Sequence, residues 1–208
     1  DKYNVPFFSN YRRMIESHPE IDVIAIITPS GMHREHTLEI IQDYEKHVIV
    51  EKPTFIRPKD AEEAFQLATN KKVEIFPVFQ NRYNKSVIRV RRAIADGELG
   101  DIHIVSVRVR WCRPQRYYQM AEWRGTFSHD GGALANQCIH HVDLTRHLGG
   151  EITHVNATMR TLGADIEVED SVVATMKYNG NTIGVLEGTT AARPDDFEAS
   201  LSIVGSKG

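Results

Sequence analysis

Three short apolar runs separated by helical spacing constrain this chain more than anything else in it: Ile21–Ile27, His47–Val50 and Val73–Phe79. Their β-branched residues follow one another without polar alternation, which predicts strands buried on both faces of a parallel sheet. Parallel strands need a crossover, and each gap supplies one. His36, Leu38, Ile40 and Ile41 carry helical spacing up to Tyr44, and from about Lys59 the residues Ala61, Ala64, Phe65 and Ala68 form one face of a further helix. Asn10 is placed to cap a short helix over residues 11–17.

Chemistry-bearing residues follow each strand. The first runs into Thr28-Pro29-Ser30-Gly31-Met32-His33, where proline stops the ladder, Ser30 can cap a helix and Gly31 lets a ligand approach the backbone closely. The second ends on Glu51-Lys52-Pro53. Open parallel sheets bind ligands outside the carboxyl ends of their strands, so Lys52 is either a site group or an ordinary surface amine before a turn. The third leads into Gln80-Asn81-Arg82-Tyr83, which reads equally as a polar strand-end turn. This order resembles the second half of a doubly wound dinucleotide-binding fold. No GxGxxG turn occurs, and the chain opens on Asp1 rather than methionine. The expectation is that the phosphate-binding βαβ lies upstream and that the 208 residues alone bind NAD poorly.

The later sequence changes style. Residues 85–95 read as a helix with Val87, Ile88, Ile94 and Ala95 apolar and Arg89, Arg91 and Arg92 solvated. Residues 102–111 alternate from Val105 on, as a strand with one covered face does, and 154–160, 170–178, 182–189 and 197–204 repeat that style. Asn179-Gly180 is a strong hairpin signal. The expected fold is α/β followed by α+β. Residues 1–82 would form a partial doubly wound parallel domain lacking its first βαβ, and residues 83–208 an α+β domain with a mainly antiparallel open sheet. Because no helix is predicted over one sheet face, a homo-oligomer, dimer or tetramer, is expected through it.

Composition narrows the partners. A net charge of −3 with 10 histidines provides no basic field for nucleic acid. No run approaches the ~18 apolar residues of a membrane span. Two cysteines, Cys112 and Cys138, do not make a metal cluster or a disulfide framework and suggest a reducing, cytoplasmic setting.

Glycine pairs at 131–132 and 149–150 bracket what reads as one helix. Within it Asn136, His140, Asp143 and His147 recur at intervals of four, three and four and share a face, while Leu134, Cys138, Val142, Leu144 and Leu148 can cover a core. Such a stripe is a hydrogen-bonded solvated face, a metal site, or a catalytic imidazole at His140 oriented by Asp143. With neither a thiolate pair nor the glutamate of an HExxH arrangement, no metal is expected. As a site it would give, with Lys52, two titratable groups facing one crevice.

Thr28-Pro29 at a strand end, Glu51-Lys52-Pro53, and a Gly-Gly helix carrying His140 and Asp143 in HxxD spacing resemble the Gfo/Idh/MocA oxidoreductases over essentially all 208 residues. The resemblance implies an N-terminal Rossmann domain, a C-terminal α+β domain, and NAD(P)-dependent sugar dehydrogenase activity, with NAD favoured over NADP. Lys52 and His140 carry over as the catalytic pair. Thr28, Pro29, Ser30, His33, Glu51 and Pro53 are implied on the nicotinamide side, approached by Gln80 and Arg82, and the Lys52-Pro53 bond is expected to be cis. Asn136-Gln137, with Trp123-Arg124-Gly125 upstream, is similar to the UDP-N-acetylglucosaminuronate 3-dehydrogenase-like members. Trp123, Arg124, Asn136 and Asp143 would then join Lys52 and His140 on the substrate, with Arg124 pairing a carboxylate or phosphate and Asn136 bonding a sugar hydroxyl. A non-catalytic nucleotide-sensing regulator of the same fold is the alternative.

Overall fold

The computed structural model describes residues 5–208. They divide into two compact units, one holding the chain up to Thr28 and Met32–Val78, the other holding Pro29–Gly31 and Phe79–Gly208.

The first unit comprises α1 (Tyr11–Ser17), β1 (Val23–Ile26), α2 (His33–Tyr44), β2 (His47–Val50), α3 (Pro58–Lys71) and β3 (Ile75–Pro77). Asn10 caps α1 as expected, its side-chain oxygen accepting from the amides of Arg12 and Arg13 at 2.8 and 3.4 Å. All strand pairings are parallel, in the order β1-β2-β3. The side chains of Ile26, Val48, Val50, Ile40, Ile41, Ala64 and Ala68 pack as one core. Each large aliphatic among them contributes about 1.5–3 kcal/mol by leaving water.

Burial on both sheet faces is not what the described residues show. Val23, Ile49 and Phe76 stay exposed on the face opposite the core. α2 and α3 contact each other and share one core with the strands, so among the described residues they cover the same face of the sheet. Phe65, expected on the inward face of α3, is also exposed, because Asp60, Ala64 and Ala68 make the buried row. Asp60 is tolerated there since Arg57 meets both of its oxygens at 3.0 Å. Ser30 does not cap α2: Met32 holds that position without a side-chain bond, and Ser30 opens a 3-10 turn, Ser30–Met32.

The second unit carries α4 (Lys85–Ala95), β4 (Ile102–Arg110), α5 (Gln115–Tyr118), α6 (Ile139–Gly149), β5 (Ile152–Arg160), β6 (Ser171–Tyr178), β7 (Ile183–Thr189) and β8 (Glu198–Gly205). Its sheet runs β5-β6-β7-β4-β8, antiparallel except for the parallel pair β4–β7. Asn179-Gly180 makes the β6–β7 turn, with Gly180 at φ +81°. Val105, Val107, Val109, Val172, Met176 and Leu186 form the buried face, against Cys138 and, more loosely, Leu134 and Val142. The other face leaves Val173, Ile183, Val185 and Ile104 exposed. On α4 only Ala93 is buried and Ala95 is exposed, the remaining apolar residues being half-covered. No helix among the described residues is long and apolar enough to cross a membrane.

The stretch between the two glycine pairs is not one α-helix. Ala133–Gln137 is a π turn, closed by the Cys138 amide donating to the Ala133 carbonyl at 2.8 Å, and α6 starts only after Cys138. The π turn interrupts the regular α-helical spacing between Asn136 and the row of His140, Asp143 and His147. Gly132, at φ +98°, makes the entry possible: a Cβ there would sit 2.5 Å from the Glu169 carboxyl carbon. Glu169 accepts the Leu134 amide at 2.8 Å, serving one of the orphan N–H groups of the first turn.

Candidate functional site

In the first unit Ile26, Val50 and Pro77 stand level in register, so the residues that follow each strand gather at one end of the sheet. The Glu51 carboxylate turns back to accept the Lys52 amide at 2.9 Å, and the Lys52-Pro53 peptide is cis. Lys52 is half-buried and Pro53 buried. His33 is only 1% exposed; its Nδ1 lies 2.8 Å from the Pro53 carbonyl oxygen and its Nε2 2.9 Å from that of Thr28. The ring therefore ties the segment after β1 to the segment after β2. The Thr28 hydroxyl lies 3.2 Å from His36 Nδ1. The Thr54 hydroxyl is buried and has no hydrogen-bond partner among the described residues. The polar groups gathered at this sheet end lie where open parallel sheets take their ligands.

In the second unit α6 and the turn Gln80–Tyr83 form one cluster. Arg82 forks onto Asp143, Nε to Oδ2 at 2.7 Å and Nη2 to Oδ1, and its guanidinium lies 5.2 Å from the Phe79 ring centre. Phe79 meets His140 edge-on at 6.5 Å. Both oxygens of Asp143 take Arg82, a partner that sequence spacing did not suggest. His140 and Asn136 are buried, at 8% and 5% exposure. Burial, followed by the nearby Arg82 and Arg91 charges, pushes His147 below the usual imidazole range. His141 points elsewhere, edge-on to Trp111 at 6.0 Å, and is likewise pushed down by burial and by His140. Gln80 is exposed, while Pro29 and Ser30 belong with this unit by their contacts.

Asn136 is held by a residue that sequence reasoning missed. Its Nδ2 donates to Asp130 Oδ1, and Asp130 Oδ2 accepts the Gly125 amide at 2.6 Å. The available signal was an aspartate directly before the glycine pair. Arg124 lies over two rings, 4.3 Å from Tyr117 and 4.8 Å from Trp123, and donates to the Tyr117 hydroxyl. Gln137 donates to the same hydroxyl at 2.9 Å, so Tyr117, another unforeseen residue, couples Arg124 to the π turn.

Gly31, read as leaving room for a ligand, instead leaves room for the chain. A Cβ there would overlap the Ser128 carbonyl oxygen and sit 2.7 Å from the His129 Cα, and the Gly31 amide donates to the His129 carbonyl at 3.2 Å.

Burial holds Glu169 above the usual carboxylate range, and the Asp130 and Asp170 charges add to it, against the bond from Leu134. A folded-state value above the unfolded one means that Glu169's contribution to stability is complete at low pH and is lost as pH rises through the raised value. Glu169→Gln, which keeps an acceptor for Leu134, is therefore expected to gain in melting temperature over the parent at pH 8 relative to pH 5. A gap of equal size at both pH values would show that the charge is not what matters. The Cys138 thiol is pushed up to about 12 by burial and serves packing only. Among the described residues no cluster of three or more His, Cys, Asp or Glu could hold a metal.

Residues 87–208 match the Gfo/Idh/MocA C-terminal domain, and residues 1–79 match the oxidoreductase family with an NAD-binding Rossmann fold. The structure resembles that of the WlbA dehydrogenase from Bordetella pertussis, solved with NADH and UDP-GlcNAcA, at 36% identity and a TM-score of 0.89, over 93% of this chain and 60% of that one. The scyllo-inositol 2-dehydrogenase (NADP(+)) of Bacillus subtilis is 30% identical over 164 residues, 79% of this chain and 45% of its own. The myo-inositol 2-dehydrogenase of Thermotoga maritima is 22% identical over 198 residues, 91% of this chain and 56% of its own. The chain thus spans about half the length of these relatives. It belongs to the Gfo/Idh/MocA oxidoreductase family.

Proposed function

We propose that the intact protein is an NAD(P)-dependent oxidoreductase that moves a hydride between a secondary hydroxyl of a sugar or nucleotide sugar, a sugar acid in particular, and nicotinamide, with NAD favoured. The observation that carries this reading is the 36% identity, over 93% of the chain, to a dehydrogenase solved with NADH and UDP-GlcNAcA. Residues 1–82 are read as the cofactor part and 83–208 as the substrate part. Bound nicotinamide supplies the hydride acceptor or donor. The chain must handle the proton, because a hydroxyl loses one as its carbon gives up a hydride. Lys52, at the carboxyl end of β2, and His140, on α6, are assigned that task. Thr28, Pro29, Ser30, Glu51, Pro53 and Gln80 are assigned to the cofactor, with His33 and Arg82 holding the segments around it. Asn136, Asp143, Trp123 and Arg124 are assigned to the substrate.

Mixing full-length protein with NAD and candidate sugars, among them UDP-GlcNAcA, is expected to raise absorbance at the reduced-nicotinamide band. No reduction with any free or nucleotide-linked sugar would overturn the reading.

The apolar sheet face bearing Val173, Ile183 and Val185 is read as a homo-oligomer contact. Val173→Lys is expected to shift the full-length protein to a smaller species in sedimentation, and an unchanged mass would count against this face. Both cysteines are unpaired thiols, which fits a cytoplasmic setting that cell fractionation would check.

A further inference from the structure

β5 and β6 are antiparallel neighbours whose ends, Arg160 and Ser171, stand opposite each other in register, so a turn of ~2–5 residues could join them. The chain takes residues 161–170 instead, with no helix or strand among them. None of these residues belongs to the apolar core of the second unit. What the extra length does is visible in where its hydrogen bonds go.

They go to the segments that carry Arg124 and Asn136. The Glu167 amide donates to the Gly125 carbonyl at 3.0 Å, and the Glu167 carboxylate accepts the Phe127 amide at 3.1 Å. Ile166 lies so close over Gly125 that a Cβ there, at φ +74°, would sit 2.7 Å from Ile166 Cγ2. The Glu169 carbonyl accepts the Ala133 amide at 3.0 Å, beside the bond its carboxylate makes to Leu134. The π turn bearing Asn136 is thus anchored at its first two residues. The Asp170 carbonyl accepts the Thr190 amide at 2.8 Å, and the Thr190 hydroxyl meets that of Tyr118 at 2.9 Å, next to the Tyr117 ring on which Arg124 lies.

Asp170, 1% exposed, closes the connection on itself. Its Oδ1 accepts the Leu162 amide and the Ser171 hydroxyl, both at 2.9 Å, and its Oδ2 accepts the Gly163 and Ala164 amides at 2.6 and 3.1 Å. A carboxylate has the acceptor capacity for all four, which an amide of the same size lacks. Leu162, Gly163 and Asp165 are exposed, so this half of the connection keeps its shape through these bonds rather than through burial.

We propose that the β5–β6 connection is a positioning element for the substrate side of the site, with Asp170 holding it closed. It sets where Arg124 and Asn136 stand without itself touching the substrate. The roles of those two residues rest on the dehydrogenase reading above.

The test compares full-length parent, Asp170→Ala and Asp170→Asn by amide hydrogen exchange and by steady-state kinetics with NAD and UDP-GlcNAcA, or whichever sugar the parent oxidises. In Asp170→Ala, exchange at residues 125–127 and Ala133–Gln137 is expected to quicken at least ~10-fold while β4, β6 and β7 exchange as in the parent. KM for the sugar is expected to rise at least ~10-fold with KM for NAD unchanged. Asp170→Asn, which keeps one acceptor oxygen, recovers part of both. Should Asp170→Ala fail to fold, Glu167→Ala, whose exposed side chain holds the Phe127 amide, takes its place and is read at residues 125–127. Parent-like exchange at these segments, exchange quickened alike throughout the second unit, or a joint rise of both KM values overturns the proposal. A parent that oxidises no sugar removes the dehydrogenase reading, while the exchange pattern still decides whether the connection holds the two segments.

Discussion

Lys52→Ala and His140→Ala in the full-length enzyme are each expected to lower kcat by at least ~100-fold at saturating cofactor, the lower end of what a positioned acid or base contributes. The reason lies in the reaction. A secondary alkoxide is a strong base, so an enzyme that removes a hydride from carbon without a group to take the hydroxyl proton forfeits most of its rate. Lys52 follows a strand whose Val48 and Val50 are fully buried, so its backbone is fixed by packing. His140 is fixed by helix α6 and by the edge of Phe79. Steady-state rates with matched melting temperatures separate lost chemistry from lost fold. A kcat unchanged in both variants would remove these residues from the chemistry, whereas a loss in one alone would identify the base.

The second large effect concerns Asn136. Replacing its amide by a carboxylate, Asn136→Asp, exchanges the donor that faces Asp130 for an acceptor, and sets two carboxylates against each other where both residues are buried. The expected cost is about 2–4 kcal/mol of stability, from a lost charge-assisted bond and the desolvation of an unpaired charge. Activity is expected to fall with it. The double variant Asp130→Asn with Asn136→Asp restores one donor and one acceptor and should recover most of the loss, as denaturant titration of the single and double variants would show. Equal loss in both would mean that the two side chains are not coupled. The same bond fixes the orientation of the amide.

Legibility in the sequence followed the range of the interactions. The strands of the first unit, the Asn10 cap and the Asn179-Gly180 turn rest on neighbours within a few residues and could be read directly. The exposed outer face of the first sheet could not, because apolar runs show a strand's composition and not which layers cover it. Phe65 misled for a related reason: an aromatic at helical spacing resembles a core residue until the small side chains of Ala64 and Ala68 bring the helix in close. At the site, the residue types were visible and their partners were not. Asp143 with Arg82 spans 61 positions, and the Glu169 bond to Leu134 spans 35, distances over which no periodicity carries information. The π turn was hidden because its contacts with Glu169, seated where Gly132 lacks a side chain, come from a segment the helical spacing does not include.

Gly31 has a consequence for how this chain can be cut or exchanged. Pro29–Gly31 belongs by its contacts with the second unit, although its neighbours on both sides belong with the first. The polypeptide therefore changes units at three points, and no single scission yields both intact. A chimaera joined at residue 79 would graft a foreign loop onto the Ser128–His129 backbone, where Gly31 leaves no tolerance for an added methyl group. Recombination between relatives would have to carry these three residues with the downstream part, so they are inherited with the partner they touch rather than with the sheet that precedes them.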